Sequence, residues 1–134
     1  MRFGPPRGDS NTLELTVTDD LATHVVPGAP PLCTAPALLQ AADEVARTLL
    51  TPHLETGEVA TVVSLDIHLR GPLPVGAQLT LTATVASVTS GKLVCEVLVR
   101  RGSAIVARGS VEHLVVDGRE YAGQIAEAAP TVTG

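Results

Sequence analysis

The segment TAPALLQAADEVARTLL, Thr34 to Leu50, sets two carboxylates side by side, Asp43 and Glu44, in a run that is otherwise mostly aliphatic. Burying an unpaired carboxylate costs on the order of several kcal/mol, so at most one of the two is expected to face inward. On a helix, residues three and four apart share a face. Glu44 shares its stripe with Gln40, Arg47, Thr48 and Thr51, all polar, and is expected to pair with Arg47. Asp43 shares its stripe with Leu39, Ala46 and Leu50, and no partner for it is expected in its own helix. A short acidic side chain is a poor helix former, and on an apolar stripe it breaks a second local rule. Such violations gather at functional sites, which makes Asp43 the candidate acid or base. The plainer alternative is a structural hydrogen bond to a loop or a partner subunit.

The elements around that helix follow from pattern. Thr34 is a good N-cap, Pro36 fits only a first turn, and Pro52 and Gly57 in TPHLETG end the helix. Upstream, LELTVT (Leu13 to Thr18) alternates as a strand, and PGAPPLC is a proline-dense loop. From Val59 the period is two. VATVVSLDIHL, AQLTLTATVASV, KLVCEVLVRR and SAIVARGSVEHLVVD are four strands, separated by the turn sequences RGPLPVG, TSG and RG. Turns this short make the strands antiparallel neighbours. A lone apolar helix and a curved antiparallel sheet wrapped around it give an α+β architecture of five to six strands. The open sheet edges point to dimerisation. The expected organisation is one domain over residues 1–134, with a loose arm at 1–11 and a small, polar, mobile tail at 118–134.

Composition narrows the function further. The chain of 134 residues carries a net charge of −5, one Phe, one Tyr and no Trp, so it lacks both the basic face and the stacking platform that nucleic acids require. Cys33 and Cys95 have no CxxC or metal-like spacing and are expected as reduced thiols. The N-terminus has no apolar core of a signal peptide, and no apolar run is long enough to span a bilayer, so a soluble cytoplasmic protein is expected.

The order of elements and the helix residues together resemble the hotdog fold, in which a sheet wraps one central helix. The helix resembles that of hotdog thioesterases of the phenylacetate and 4-hydroxybenzoyl-CoA type, whose pattern is His-Gly-Gly at the helix start and an acidic residue nine positions after the His. TAPALLQAADEV falls on that pattern without a gap, with Thr34 in the His place and Asp43 in the acidic place. The chain is also similar to fluoroacetyl-CoA thioesterase-like proteins over roughly residues 12 to 117, from LATHVVP through TPHLETGE to ARGSVEHLVVD. That group uses a Thr at the helix start, a Glu on the helix and a His in the following strand. The resemblance carries the Glu to Asp43 and the His, with a one-residue gap, to His68. The Thr position falls on Ala35, beside Thr34.

The activity implied is hydrolysis of an acyl thioester, with coenzyme A or phosphopantetheine entering as part of the substrate and no separate cofactor. A thioester carbonyl needs a nucleophile on one side and donors for the oxyanion on the other. Helix starts offer free amides, so those of Ala35 and Ala37 are candidate donors; Pro36 offers none. Arg70 is a candidate for a phosphate of the carrier, either coenzyme A or an acyl-carrier protein. Asp43 lies nine residues beyond Thr34, about 13 Å along the axis. The family's arrangement, implied by the resemblance, resolves that distance by placing the site between two subunits of a homodimer, which in turn can pair into a tetramer. Two other readings remain open. Hotdog hydratases carry an Asp and a His five residues apart, which Asp19 and His24 match without the intervening Asn-Pro. The altered helix start also fits a dimer that binds acyl thioesters without turning them over.

Overall fold

In the computed structural model, which describes residues 1–130, the chain runs β1 (Ser10–Thr16), two short strands β2 (Ala22–Thr23) and β3 (Leu32–Cys33), helix α1 (Ala35–Leu50), four long strands β4 (Glu58–Leu69), β5 (Gln78–Thr89), β6 (Lys92–Arg101) and β7 (Ala104–Asp117), and helix α2 (Gly118–Ala128). The five longer strands form one antiparallel sheet in the order β1-β5-β6-β7-β4, and β2 pairs with β3 apart from it. This is the expected α+β plan, one central helix against a five-stranded sheet. The β5–β6 connection is a two-residue turn in which Ser90 and Gly91 both take positive φ, the geometry that suits a twisted hairpin.

Helix α1 begins where Thr34 accepts a hydrogen bond from the Ala37 amide at 3.2 Å. Its buried stripe is Leu38, Ala41, Ala42, Val45, Ala46, Leu49 and Leu50. Against it stand alternate residues of the sheet: Leu79, Leu81, Ala83 and Val85 from β5, Leu93, Cys95, Val97 and Val99 from β6, and Ala107 and Val111 from β7. The hydrophobic core is built from Leu, Val and Ala with two cysteines, both free and buried. Burial pushes the Cys95 thiol up to about 11, so it packs as a neutral apolar group.

The N-terminal arm and the described part of the tail both make backbone hydrogen bonds. Gly8 donates to the Val85 carbonyl at 2.9 Å and Val85 to the Asp9 carbonyl at 2.8 Å, which extends the β1–β5 pairing into the N-terminal arm. The tail expected to be mobile forms α2, because Asp117 is an N-cap whose carboxylate accepts from the amides of Arg119 and Glu120. Residues 131–134 of that tail lie outside the described residues. No helix among the described residues is long and apolar enough to cross a membrane.

Among the described residues, strand β4 pairs only with β7 and leaves its other edge open. A bulge at Val63 resets its alternation: Val62 lies opposite His113 and Leu65 opposite Val111, both toward the helix, while Ser64, Asp66 and His68 lie opposite Glu112, Ser110 and Arg108 on the outer face. Val63 is 49% exposed on this edge, and Val59, Leu65 and Leu69 are exposed with it. Gly109 lets β4 and β7 approach, since a Cβ there would lie 2.0 Å from the Asp66 carbonyl oxygen. Gly109→Ala is therefore expected to lower stability by about 2 kcal/mol in urea denaturation; a loss below about 0.5 kcal/mol would show that the contact is not a constraint.

Candidate functional site

Asp43 sits on the flank of α1 that looks toward β4 and β7, with its side chain 25% exposed. His113 of β7 brings Nε2 to 2.7 Å from Asp43 Oδ1. Arg47, one turn further along α1, donates from Nη2 to the same oxygen at 3.3 Å. Its other terminal nitrogen, Nη1, donates to the Ala60 carbonyl of β4 at 2.9 Å. The expected Glu44–Arg47 pair is therefore replaced by an Asp43–Arg47 pair. The β4 carbonyl draws the guanidinium to the inner side of the helix, where Asp43 is its neighbour at i+4, and Glu44 is left exposed. Both donors fall on Oδ1, while Oδ2 has no partner among the described residues.

His113 is the residue that motif reading passed over. It is fully buried, and the only buried polar or charged residue among those described. A signal for it existed: in ARGSVEHLVVD it is in phase with Ala107, Val111 and Val115, the apolar face of its strand. Its Nδ1 has no protein partner among the described residues. A buried polar atom left unpaired costs roughly 1–3 kcal/mol, which an aliphatic residue at this position would avoid. Burial holds the ring's pKa below the ordinary imidazole value, against the upward pull of its hydrogen bond to Asp43 and of that carboxylate's charge. The ring is thus neutral at pH 7, and with a carboxylate facing Nε2 the proton belongs on that nitrogen.

The other candidates are dispersed. Thr34 is the N-cap of α1, and its hydroxyl occupies the Ala37 amide, so of Ala35 and Ala37 only the Ala35 N–H is left for a ligand. His68 is exposed on the outer face of the sheet, in a cleft of about 460 Å³ with Asp66, Glu96, Arg108 and Ser110. That cleft lies on the face turned away from α1, and within one copy His68 does not meet Asp43. Arg70 is exposed just beyond β4. Asp19 and His24 are both exposed, one in a single 3-10 turn and the other after β2, with no hydrogen bond between them. A second cleft of about 370 Å³, almost wholly apolar, is lined by Val26, Ala29, Pro30, Leu32, Pro72 and Pro74, and abuts the segment leading into α1.

The lowered pKa of His113 sets a pH dependence of stability. Below the unfolded-state value of about 6.5, the unfolded chain takes up a proton that the folded ring refuses. The stability associated with the neutral ring is therefore complete above about pH 6.5 and is lost progressively as pH falls from there to the lower folded-state value. Urea midpoints measured at about pH 7.5 and 5.5 are expected to drop for the wild-type chain and to drop less for His113→Leu. Equal drops would place the pH sensitivity elsewhere.

Comparison with known proteins bears on the fold and the family. The fold is shared with a hot-dog-like protein from Thermanaerovibrio acidaminovorans, at 22% identity and TM-score 0.86 over 95% of each chain. It is shared too with the fluoroacetyl-CoA thioesterase FlK, at 19% identity and TM-score 0.81 over 96% of this chain and 100% of that one. A mutant of FlK in complex with acetyl-CoA superposes with 19% identity and TM-score 0.81, over 93% of this chain and 99% of that one. No curated protein sequence matches the chain. The family model for the fluoroacetyl-CoA-specific thioesterase FlK matches residues 17–119, so this hotdog-fold chain belongs to the FlK thioesterase family.

Proposed function

We propose that the protein hydrolyses acyl thioesters, with Asp43 as the general base, at a site completed by a second copy of the chain. The observation that carries this reading is the carboxylate itself: partly exposed, on the margin of the helix's apolar stripe, fixed by two donors on one oxygen and open on the other. Family membership supplies the class of reaction.

The second copy is needed because one chain does not close the site. Asp43 stands nine residues along from Thr34, about 13 Å from the start of its own helix. It also looks toward β4, the strand whose outer edge is open and apolar. Antiparallel pairing of β4 with its twofold mate satisfies that edge, covers Val63, and brings the helix start of the second copy toward Asp43. The Ala35 amide at that helix start then receives the carbonyl oxygen, favoured by the positive end of the helix dipole.

In this arrangement Asp43 takes a proton from water as the water oxygen bonds to the thioester carbon, and the carbonyl electron pair moves onto oxygen. When that pair returns, the C–S bond breaks, and the thiolate recovers the proton from Asp43. The products are a carboxylic acid and the free carrier thiol. The alternative is direct attack by Asp43 to give a mixed anhydride; after a single turnover in 18O-labelled water, label in Asp43 would identify that route with water opening the anhydride at the Asp43 carbonyl. Exposed Arg70 serves the carrier's phosphates, and the acetyl-CoA complex of FlK favours coenzyme A as that carrier. The apolar cleft between Leu32 and Pro74 suits an aliphatic acyl group. His68 is given no step, since it lies on the outer face.

The test is a panel of acyl-CoAs of rising chain length with free-thiol detection. Asp43→Asn keeps the shape and is expected to lower kcat by at least about a hundredfold, the lower end of general-base contributions. Activity within a few-fold of wild type, or no turnover of any acyl-CoA by the wild-type chain, would defeat the reading; tight acyl-CoA binding without turnover would favour a non-catalytic dimer. His68→Ala is expected to stay within about threefold, as a solvated side chain outside the site should. Val63→Lys is expected to give a monomer by light scattering and to lose activity with the dimer. An active monomer would show that the site is complete in one copy.

A further inference from the structure

His113 presents one nitrogen to Asp43 and leaves the other without a protein partner, in a strand face where every other inward residue is apolar or glycine. Packing alone does not account for an imidazole there, since an aliphatic side chain fills an inward strand position with no unpaired atom. What the imidazole adds is the Nε2 contact, and that contact goes to one atom, Asp43 Oδ1. Arg47 addresses the same atom and is itself anchored on the Ala60 carbonyl. Two donors from two elements therefore hold Oδ1 and leave Oδ2 without a partner among the described residues.

The ring's protonation is equally constrained. Its cross-strand neighbours are Val62 on β4 and Leu93 on β6, neither of which titrates. The charged groups that face it are Asp43 and Arg47, both on α1. A proton on Nδ1 would bury an unpaired donor and turn a lone pair toward the carboxylate. A second proton would place a cation where no solvent reaches, since the ring is fully buried. The neutral Nε2–H form meets neither objection.

Resting on the thioesterase reading, we propose that His113 is a positioning residue, held as the neutral Nε2–H tautomer, which occupies Asp43 Oδ1 so that Oδ2 alone takes the proton from the attacking water. His113 neither gives up nor accepts a proton during turnover. The order is the reverse of a Ser-His-Asp arrangement, where the imidazole does the proton transfer and the carboxylate stands behind it. Here the carboxylate is in front and the imidazole behind.

The experiment has an arm that needs no substrate. In the full-length protein labelled with 15N-histidine, the buried ring is expected to show the Nε2–H pattern at pH 7.5 and to titrate below the ordinary imidazole range. An Nδ1–H pattern, or titration at an ordinary value, overturns the proposal. The kinetic arm compares His113→Leu with His113→Gln, whose amide can still donate. His113→Leu is expected to lower kcat about 10- to 100-fold with KM within about threefold, and His113→Gln to recover most of that loss. Circular dichroism establishes that each variant is folded; if His113→Leu does not fold, the tautomer and the His113→Gln kinetics decide, with a His113→Gln kcat more than about tenfold below wild type counting against. If Asp43→Asn abolishes hydrolysis but His113→Leu leaves kcat within about twofold, the positioning role alone fails. If Asp43→Asn keeps hydrolysis, the function reading fails and this proposal falls with it.

Discussion

A helix that buries Leu38, Ala41, Ala42, Val45, Ala46, Leu49 and Leu50 needs cover along its length, and the sheet supplies that cover from one side. The three alanines on this stripe let α1 sit close to the strands, so the inward positions of β5, β6 and β7 are filled by residues no larger than leucine, His113 excepted. The topology follows from the same need. After α1 the chain lays β4 at one edge, crosses to place β5 beside β1, and then returns through β6 and β7 until β7 closes on β4. That last pairing joins segments far apart in sequence, and Asp43 meets His113 across 70 residues only because it forms. Gly109 sits at this seam, where a Cβ would meet the Asp66 carbonyl of β4.

The same arrangement leaves the helix flank beside β4 only partly covered. Residues on that flank, Leu39, Asp43 and Arg47, are neither buried nor free in solvent. A carboxylate deeper in the stripe, at Ala42 or Ala46, would lose its water without room for compensating donors, and one at Glu44 would stay fully hydrated and unoriented. The margin is where a carboxylate can be held by protein donors and still meet a small molecule. Arg47 contributes to this position twice, by neutralising Asp43 and by tying α1 to the Ala60 carbonyl of the edge strand. The helix, the edge and the carboxylate are therefore fixed relative to one another by one guanidinium.

Much of the fold was legible from pattern because each element carries its own signal. The four long strands stand within two residues of where alternation and turn residues put them, and Thr34 with Pro36 marks the start of α1. Less legible were features decided by tertiary contact. Helical phase separated Asp43 from Glu44, but could not see that the β4 carbonyl would draw Arg47 toward Asp43. The bulge at Val63 is invisible to strict alternation, yet it turns Ala60 and Val62 toward the helix together with Leu65 while His68 stays outside. His113 belongs to an alternating strand, and a single polar residue in an apolar register has no motif to announce it. Helix α2 rests on a local detail: Asp117 caps it, although Gly118 after it reads as a turn.

A carboxylate on a helix margin is free to rotate about two bonds, and water alone would leave its two oxygens equivalent. Distinguishing them needs a donor that does not move, and side chains on loops are poor at that because their own backbone is loosely held. β7 is paired on both sides, to β6 and to β4, and an inward side chain on such a strand has its orientation set by close packing on every side. Placing the donor there has a cost, since the far nitrogen of the ring is buried without a protein partner. A hydroxyl would reach less far, and an amide has two rotamer bonds more nearly free than a packed ring. Imidazole combines rigidity with a single N–H at the far end of a planar side chain, and burial keeps it from becoming a cation. The core covers one helix with apolar side chains, and the one polar or charged residue buried in it among those described is placed where it makes the two oxygens of Asp43 different.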